Sequence, residues 1–233
     1  MNTIQPVTVD SLLSELTAHP VNSNIFFIDF RERVLTTTQL QTFIRHYHFF
    51  CHRFVKLLEG LLYHTPLEEL EMRVELTKTL YSELGSGSPK HAHIRQLERF
   101  AQAAGVSQHD LRQTRPLPEI QEYLDTVQHL FMEAGYLQAL GAEWAIETTA
   151  VSEFHYFLPG LQKYSIFTSQ DLTFFSMHLE EEMAHSDWIT QGVRHTAKNA
   201  EDLEQVALGA RQTAEAWHTF WRGMHRAVFH SCA

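Results

Sequence analysis

The sequence predicts an all-α protein, a single helical bundle of about seven or eight helices spanning residues 1–233. Three observations lead to this prediction. Apolar residues recur at spacings of three and four through most of the chain, which is the helical period. Runs that alternate polar and apolar residues are short, so strands are not expected. With 10 glycines and 7 prolines in 233 residues, the chain favours long helices joined by short links.

In the first half of the chain, prolines and one glycine-rich turn mark the ends of the helices. A helix is expected to stop before Thr65-Pro66, because a residue that precedes proline disfavours the helical conformation. The run GSGSP at 85–89 ends another helix, since glycine and proline are the strongest helix breakers. The predicted helices of this half cover about 10–19, 37–64, 66–84 and 91–104.

The second half of the chain follows the same pattern. Ser107 opens a short helical turn, and Pro118 opens one helix or a broken pair of helices that is expected to stop before Pro159-Gly160. Two long amphipathic segments follow. Besides the short turn at Ser107, the predicted helices of this half cover about 118–157, 169–192 and 200–227.

Composition excludes several classes of function. The formal charge of −10 argues against a nucleic-acid partner, because phosphate binding needs a basic surface. No apolar run reaches the ~18 residues that would span a membrane, so no membrane partner is expected. Cys51 and Cys232 lie far apart, as is usual for unpaired thiols in a reducing compartment. The first residues have no basic segment followed by an apolar one, so the predicted location is cytoplasmic.

The most informative feature is the run MHLEEEMAHSDW, which carries His178, Glu182 and His185. Residues four and seven positions after His178 lie about 40° and −20° from it around a helix that turns ~100° per residue. The three side chains therefore form one stripe. Two imidazoles and one carboxylate at that spacing predict a site for a first-row metal, iron included.

Other polar residues could complete such a site. Glu83 ends the third predicted helix and His93 opens the fourth, and the short loop between them can fold back and bring both side chains together. Glu147 lies in an apolar helix, where a buried carboxylate is costly unless it meets a cation or a hydrogen-bond donor. Each has an alternative role at the protein surface, and Glu143 is placed as well as Glu147 is.

The order of these motifs resembles the haem-oxygenase-like di-iron oxidases and oxygenases. The pattern comprises ELGSG, then HxxxLxxF, then a glutamate followed thirteen residues later by GL, then HxxxExxH, over about residues 25–195. That family shares its fold with TenA-type thiaminases and the quinone-cofactor synthase PqqC, and it includes the chlamydial protein associating with death domains. The resemblance implies a haem-oxygenase-like helical bundle.

The resemblance also implies a set of metal ligands. His93 is preferred to His91 because it keeps the family distance to Phe100, and Glu147 is chosen by its distance to Gly160-Leu161. The middle ligand of the last motif is usually aspartate in the family, whereas this chain has glutamate. The implied ligands are Glu83, His93, Glu147, His178, Glu182 and His185.

These ligands imply two iron ions, Fe(II) or Fe(III), with manganese as an acceptable substitute and O2 as co-substrate. The implied activity is that of an O2-activating oxidase or oxygenase acting on a small organic acid, amine or amino-acid-derived substrate. No residues beyond the ligands are assigned to catalysis. Electrons come from the substrate or from an external donor, since the chain lacks a GxGxxG nucleotide motif. The oligomeric state is not fixed by the sequence, and a homodimer is compatible with it.

One alternative is the branch of the family that makes p-aminobenzoate by sacrificing its own tyrosine and lysine. Where that branch has those two residues, this chain has Phe26, Phe27 and Phe157. The nearest tyrosines and lysine in sequence are Tyr47, Tyr156 and Lys163. This activity therefore ranks second.

Further alternatives use the same fold differently. A non-catalytic binding protein of the TenA or PqqC type would keep the bundle without the chemistry. A thiaminase needs a cysteine nucleophile, and by resemblance Cys51 and Cys232 are poorly placed for that role. A ferritin-like di-iron bundle needs two E-x-x-H pairs, and among the candidate ligands there is one, Glu182 with His185.

Overall fold

The computed structural model describes residues 7–230, without the side chains of 180–185. Within that part, ten α-helices and one short 3₁₀-helix (Pro20–Ser23) are found and no strand, which confirms the all-α class. The helices are α1 Val9–Thr17, α2 Ile25–Glu32, α3 Thr37–His64, α4 Leu70–Glu83, α5 His93–Ala103, α6 Gln108–Gln113, α7 Pro118–Met132, α8 Tyr136–Leu161, α9 Thr173–Thr196 and α10 Ala200–Phe229.

The number of helices exceeds the predicted seven or eight for two local reasons. α2 was not predicted, because its sequence IFFIDFRE is too short to show a helical period; Asn24 caps it by accepting a hydrogen bond from the Phe26 backbone N–H. The predicted segment 118–157 is a pair of helices, since α7 ends at Met132 and α8 starts after Gly135.

α8 also runs past the proline that was expected to stop it. Pro159 lies in the last turn of α8, where it removes a single backbone hydrogen bond. The next residue, Gly160, faces α2 so closely that an added Cβ would lie 2.9 Å from the Phe30 carbonyl oxygen. Packing of α2 against this turn therefore compensates for the bond lost at the proline.

α8 crosses α10 at very short range. A Cβ on Gly141 would lie 2.0 Å from the Val206 carbonyl oxygen, and one on Gly209 would lie 2.0 Å from the Gln138 carbonyl oxygen. Both glycines are needed because backbone meets backbone at this crossing. The crossing fixes the position of α8, the helix that carries Glu147.

The core next to the site is aromatic. Phe26 stacks on Trp221 at 5.0 Å, and Phe43 stacks on Tyr47 at 5.3 Å. Phe157 contacts both Phe43 and Tyr47 from α8. Such pairs add about 0.5–1.5 kcal/mol each beyond the area they bury, so this layer holds α3 rigidly against α8.

None of the helices in the described part of the chain is both long enough and apolar enough to cross a membrane.

Candidate metal centre

Three of the predicted ligands meet at one point in the structure. Glu83 comes from the end of α4, His93 is the first residue of α5, and His178 lies on α9. One donor atom of each lies within 4.8 Å of the other two. Glu83 Oε1 is 3.1 Å from His93 Nδ1 and 4.0 Å from His178 Nε2.

The loop between α4 and α5 brings the first two ligands together. Gly85, Ser86 and Gly87 have φ angles of 91°, 51° and 90°, in the left-handed region that favours glycine. A Cβ on Gly85 would lie 2.3 Å from the Ser88 carbonyl oxygen, so the turn requires glycine there. The GSG run therefore ends α4 and also reverses the chain, as the sequence suggested.

The orientation of His178 suits metal ligation. Its Nδ1 lies 2.6 Å from the Phe174 carbonyl oxygen one helical turn earlier, so this nitrogen carries the proton and donates it. The ring is stacked on Phe154 at 4.8 Å and touches Phe174 at 4.2 Å. In the neutral ring, Nε2, on the side of Glu83, is then the nitrogen that can bind a metal.

The donor atoms converge on a shared point rather than on each other. His93 Nδ1 is buried and, although 3.1 Å from Glu83 Oε1, has no properly directed hydrogen bond among the described residues. Metal–ligand distances of about 2.0–2.2 Å put two donors of one ion about 3–4 Å apart. Carboxylate oxygen and imidazole nitrogen are also donors that iron accepts. The residues present therefore fit a first-row metal ion.

The cluster forms part of the wall of a cavity of about 80 Å³. Glu147 of α8 also lines this cavity, although it lies outside the 4.8 Å cluster. No lysine or arginine of the described part of the chain lines it. The aromatic lining residues are Tyr47, Phe50, Phe54, Tyr123, Phe154, Phe174 and Trp217.

Glu143, the competitor of Glu147, has a different environment. It is fully buried but does not line the cavity. Burial raises the pKa of Glu143 well above its usual range, and the negative charge of Glu147 one helical turn away raises it further. Burial and this charge thus favour the protonated, uncharged form of Glu143, whereas Glu147 lines the cavity.

The sequence did not single out Glu153, which also lines the cavity. Tyr47 Oη donates a hydrogen bond of 3.2 Å to Glu153 Oε1. Burial raises the pKa of Glu153 to about 8, while hydrogen bonding from Tyr47 and the nearby Trp217 acts in the opposite direction. A signal was available, since an acidic residue within the mostly apolar stretch AVSEFHYF is unexpected unless it has a role in the interior.

Cys51 was expected to be poorly placed, yet the structure puts it in the cavity wall. Burial raises the pKa of its thiol well above the usual range, and the negative charges of Glu83 and Glu153 raise it further. The thiolate, not the thiol, is the nucleophile. Cys51 is therefore in the cavity but is not activated as a thiaminase nucleophile would be.

Two predicted ligands, Glu182 and His185, have side chains outside the described part of the structure, so they stay predictions.

The structure distinguishes the two neighbouring histidines that could be the first histidine ligand. His91 is exposed and its backbone N–H bonds to the Ser88 carbonyl, whereas the buried His93 belongs to the cluster.

Of the residues considered for the self-sacrificing branch, only Tyr47 lines the cavity. Tyr156 stacks on Phe27 at 5.7 Å, and Lys163 donates a hydrogen bond to the Arg31 carbonyl. Neither therefore belongs to the site.

The fold is shared with several solved structures. A protein of unknown function from Nostoc punctiforme, described as like the chlamydial death-domain-associating protein, superposes with a TM-score of 0.78 and 21% identity over 94% of this chain and 98% of that chain. A TenA homologue from Pseudomonas syringae gives 0.76 and 14% identity, over 94% and 91% of the two chains. A domain from Shewanella denitrificans with a haem-oxygenase-like fold gives 0.69 and 15%, over 97% and 93%.

These likenesses confirm the haem-oxygenase-like fold that the sequence resemblance implied. A search of curated proteins found no sequence match. A family model described as an iron-containing redox enzyme matches residues 41–218, a span that includes Glu83, His93, Glu147 and His178. The protein therefore belongs to this family of iron-containing redox enzymes.

Proposed function

We propose that the protein is a non-haem di-iron oxidase or oxygenase that uses O2 to oxidise a small organic acid, amine or amino-acid-derived molecule. The observation that carries the proposal is the convergence of Glu83, His93 and His178 on one wall of a buried cavity. Membership in a family of iron-containing redox enzymes supports it.

Two groups of residues would hold the metal. Glu83, His93 and His178 form the first. Glu147, which lines the same cavity, would join Glu182 and His185 in the second, since these two follow His178 on α9 by four and seven residues. Three carboxylates would offset most of the charge of two Fe(II) ions. Iron bound there would supply the chemistry of O2 reduction, with electrons from the substrate or an external donor.

The chain itself would hold and shield the reacting molecules. The Phe174 carbonyl keeps the proton of His178 on Nδ1. Phe154 and Phe174 pack on the His178 ring and exclude water from that side. A dry, shaped cavity strengthens electrostatic interactions and limits side reactions.

Iron loading tests the metal site. We expect about two iron ions per chain after anaerobic addition of Fe(II) and removal of the excess, because the donor set offers six ligands. Loss of one ligand should weaken binding by roughly 10- to 100-fold or more, since changes in supporting residues alone cost this much. The variants are His93→Ala and His178→Ala, and His91→Ala is the matched control because His91 is exposed and two residues from His93. Less than one iron per chain, unaffected by His178→Ala, would contradict the proposal.

Oxygen consumption separates an enzyme from a binding protein that keeps the fold. The Fe(II)-loaded protein should consume O2 faster when a suitable small molecule is added, and the His178→Ala variant should not. Iron bound at full stoichiometry, with no O2 consumption with any member of a panel of acids, amines and amino acids, would favour the binding protein.

The self-sacrificing activity is a second candidate because Tyr47 and Tyr123 line the cavity. It would consume a side chain, so intact-mass analysis after reaction with O2 distinguishes the two. An unchanged mass accompanied by O2 consumption favours catalysis, and a loss of mass abolished by Tyr47→Phe favours self-sacrifice.

A further inference from the structure

One carboxyl in the cavity has no place in the proposed metal ligand set. Glu153 lies on α8 with 3% of its surface exposed, and it lines the same cavity as Glu83 and Glu147. Among the described residues, no lysine or arginine lines this cavity to neutralise it. A buried carboxyl without a cationic partner is costly and is normally kept only where it has a role.

Of the two carboxyl oxygens of Glu153, one accepts a hydrogen bond and the other has no partner among the described residues. Oε1 accepts the hydrogen bond from Tyr47 Oη at 3.2 Å. Oε2 is buried and has no hydrogen-bond partner among the described residues. Trp217 comes close enough to stabilise the charged form of the carboxyl but lacks the geometry of a full hydrogen bond to Oε2. This oxygen is therefore an unpaired acceptor on a residue of the cavity wall.

The surroundings of Glu153 favour a positively charged donor. Trp217 forms an aromatic wall with Tyr123 at 4.5 Å and with Phe50 at 5.0 Å, and all three line the cavity. The faces of such rings attract cations, and more strongly where water is excluded. A carboxylate beside an aromatic wall is the usual environment of a bound ammonium group.

The size of the cavity limits the ligand. One water needs about 10–15 Å³ of cavity volume. A cavity of about 80 Å³ therefore takes on the order of five or six non-hydrogen atoms. Glu153 follows Glu147 by six residues, about 9 Å along a helix with a rise of 1.5 Å per residue. A ligand held at Glu153 would thus extend a short carbon chain towards the metal ligands.

We propose that Glu153 is a binding residue for the ammonium group of a small aliphatic amine, with Tyr47 positioning its carboxylate. This inference rests on the proposed function and selects amines among its substrate classes. A substrate that carries only a carboxylate would face the carboxylates of Glu83 and Glu147. An ammonium group bound at Glu153 would instead displace the proton that this carboxyl holds below its pKa of about 8. An amine is protonated at neutral pH, as the lysine side chain is with its pKa of about 10.4.

Calorimetry with three matched probes tests the preference. n-Butylammonium, butan-1-ol and butyrate are similar in size and differ in charge. Each is added at about pH 8.5, above the pKa of Glu153, to the anaerobic Fe(II)-loaded protein and to the metal-free protein. We expect n-butylammonium to bind at least about tenfold more tightly than the alcohol, because charge-assisted hydrogen bonds are about twice as strong as neutral ones. Equal binding of the amine and the alcohol, or tighter binding of butyrate, overturns the inference.

A variant of Glu153 tests whether this residue causes the preference for the amine. Glu153→Gln keeps the size and an acceptor for Tyr47 but removes the charge, and it should abolish the tenfold preference. Glu122→Gln on α7 is the control, since Glu122 is exposed. An unchanged preference in Glu153→Gln overturns the inference, as does a loss of bound iron, which would make Glu153 a metal ligand. A wild-type protein that prefers the amine but binds no iron would support this inference while refuting the proposed function.

Discussion

Glu83 Oε1 and His93 Nδ1 lie 3.1 Å apart, although the loop between α4 and α5 separates the two residues in sequence. The pair exists because Gly85 adopts a φ of 91°, which a residue with a side chain rarely does. The candidate metal centre thus depends on a backbone conformation as well as on its ligands.

The turn predicts a specific effect of Gly85→Ala. The new Cβ would lie 2.3 Å from the Ser88 carbonyl oxygen at a positive φ, so we expect a loss of about 1–3 kcal/mol in the free energy of unfolding and weaker iron binding. Gly135→Ala is the control, because nothing lies within 4 Å of a Cβ there. Urea unfolding and iron stoichiometry check both. Unchanged iron binding in Gly85→Ala would mean that the turn does not position Glu83 and His93.

The crossing of α8 and α10 predicts coupled effects. Gly141→Ala and Gly209→Ala should each destabilise the protein by about 1–3 kcal/mol, since each Cβ would lie 2.0 Å from a backbone oxygen of the facing helix. The double variant should lose less than the sum, because the first substitution already separates the helices. Chemical denaturation of the four proteins measures this. Strict additivity would mean that the two glycines do not share one contact.

Glu153 predicts how stability depends on pH in the metal-free protein. Burial raises its pKa from the usual 4.5 to about 8, so between these pH values the folded state binds a proton that the unfolded state has lost. This group should therefore make the free energy of unfolding fall with rising pH, by up to about 1.4 kcal/mol per pH unit, and its effect should level off above pH 8. In Glu153→Gln the slope should flatten, as urea titrations from pH 5 to pH 8.5 would show. An unchanged slope would assign the effect to other groups.

The Cys51 thiol should react slowly with alkylating reagents. Burial and the charges of Glu83 and Glu153 keep it protonated, and only the thiolate reacts with alkylating reagents. In a Cys232→Ser variant, where Cys51 is the only thiol, iodoacetamide should label the folded protein at pH 7 at least about 100-fold more slowly than the urea-unfolded protein. Equal labelling rates would show that Cys51 is reactive and would restore the thiaminase alternative.

The sequence by itself determined the all-α class and many of the helix ends. α3 runs from Thr37 to His64 as predicted, because its apolar period and the following Thr65-Pro66 are local signals. The loop that joins Glu83 to His93 was also readable, since glycine-rich turns act over a few residues. Helix α2 was not predicted, because its eight residues are too few to show a clear helical period.

Only the tertiary structure decided which polar side chains share a cavity. His178 meets Glu83 and His93 from α9, more than eighty residues away in the chain, and Glu147 rather than Glu143 faces the cavity although both are buried on one side of α8. The hydrogen bond between Tyr47 of α3 and Glu153 of α8 likewise depends on how the two helices pack. Hydrogen bonds within each helix produce the helical period, which can be recognised in the local sequence. These contacts depend instead on how separate helices pack, and no local sequence pattern predicts that packing.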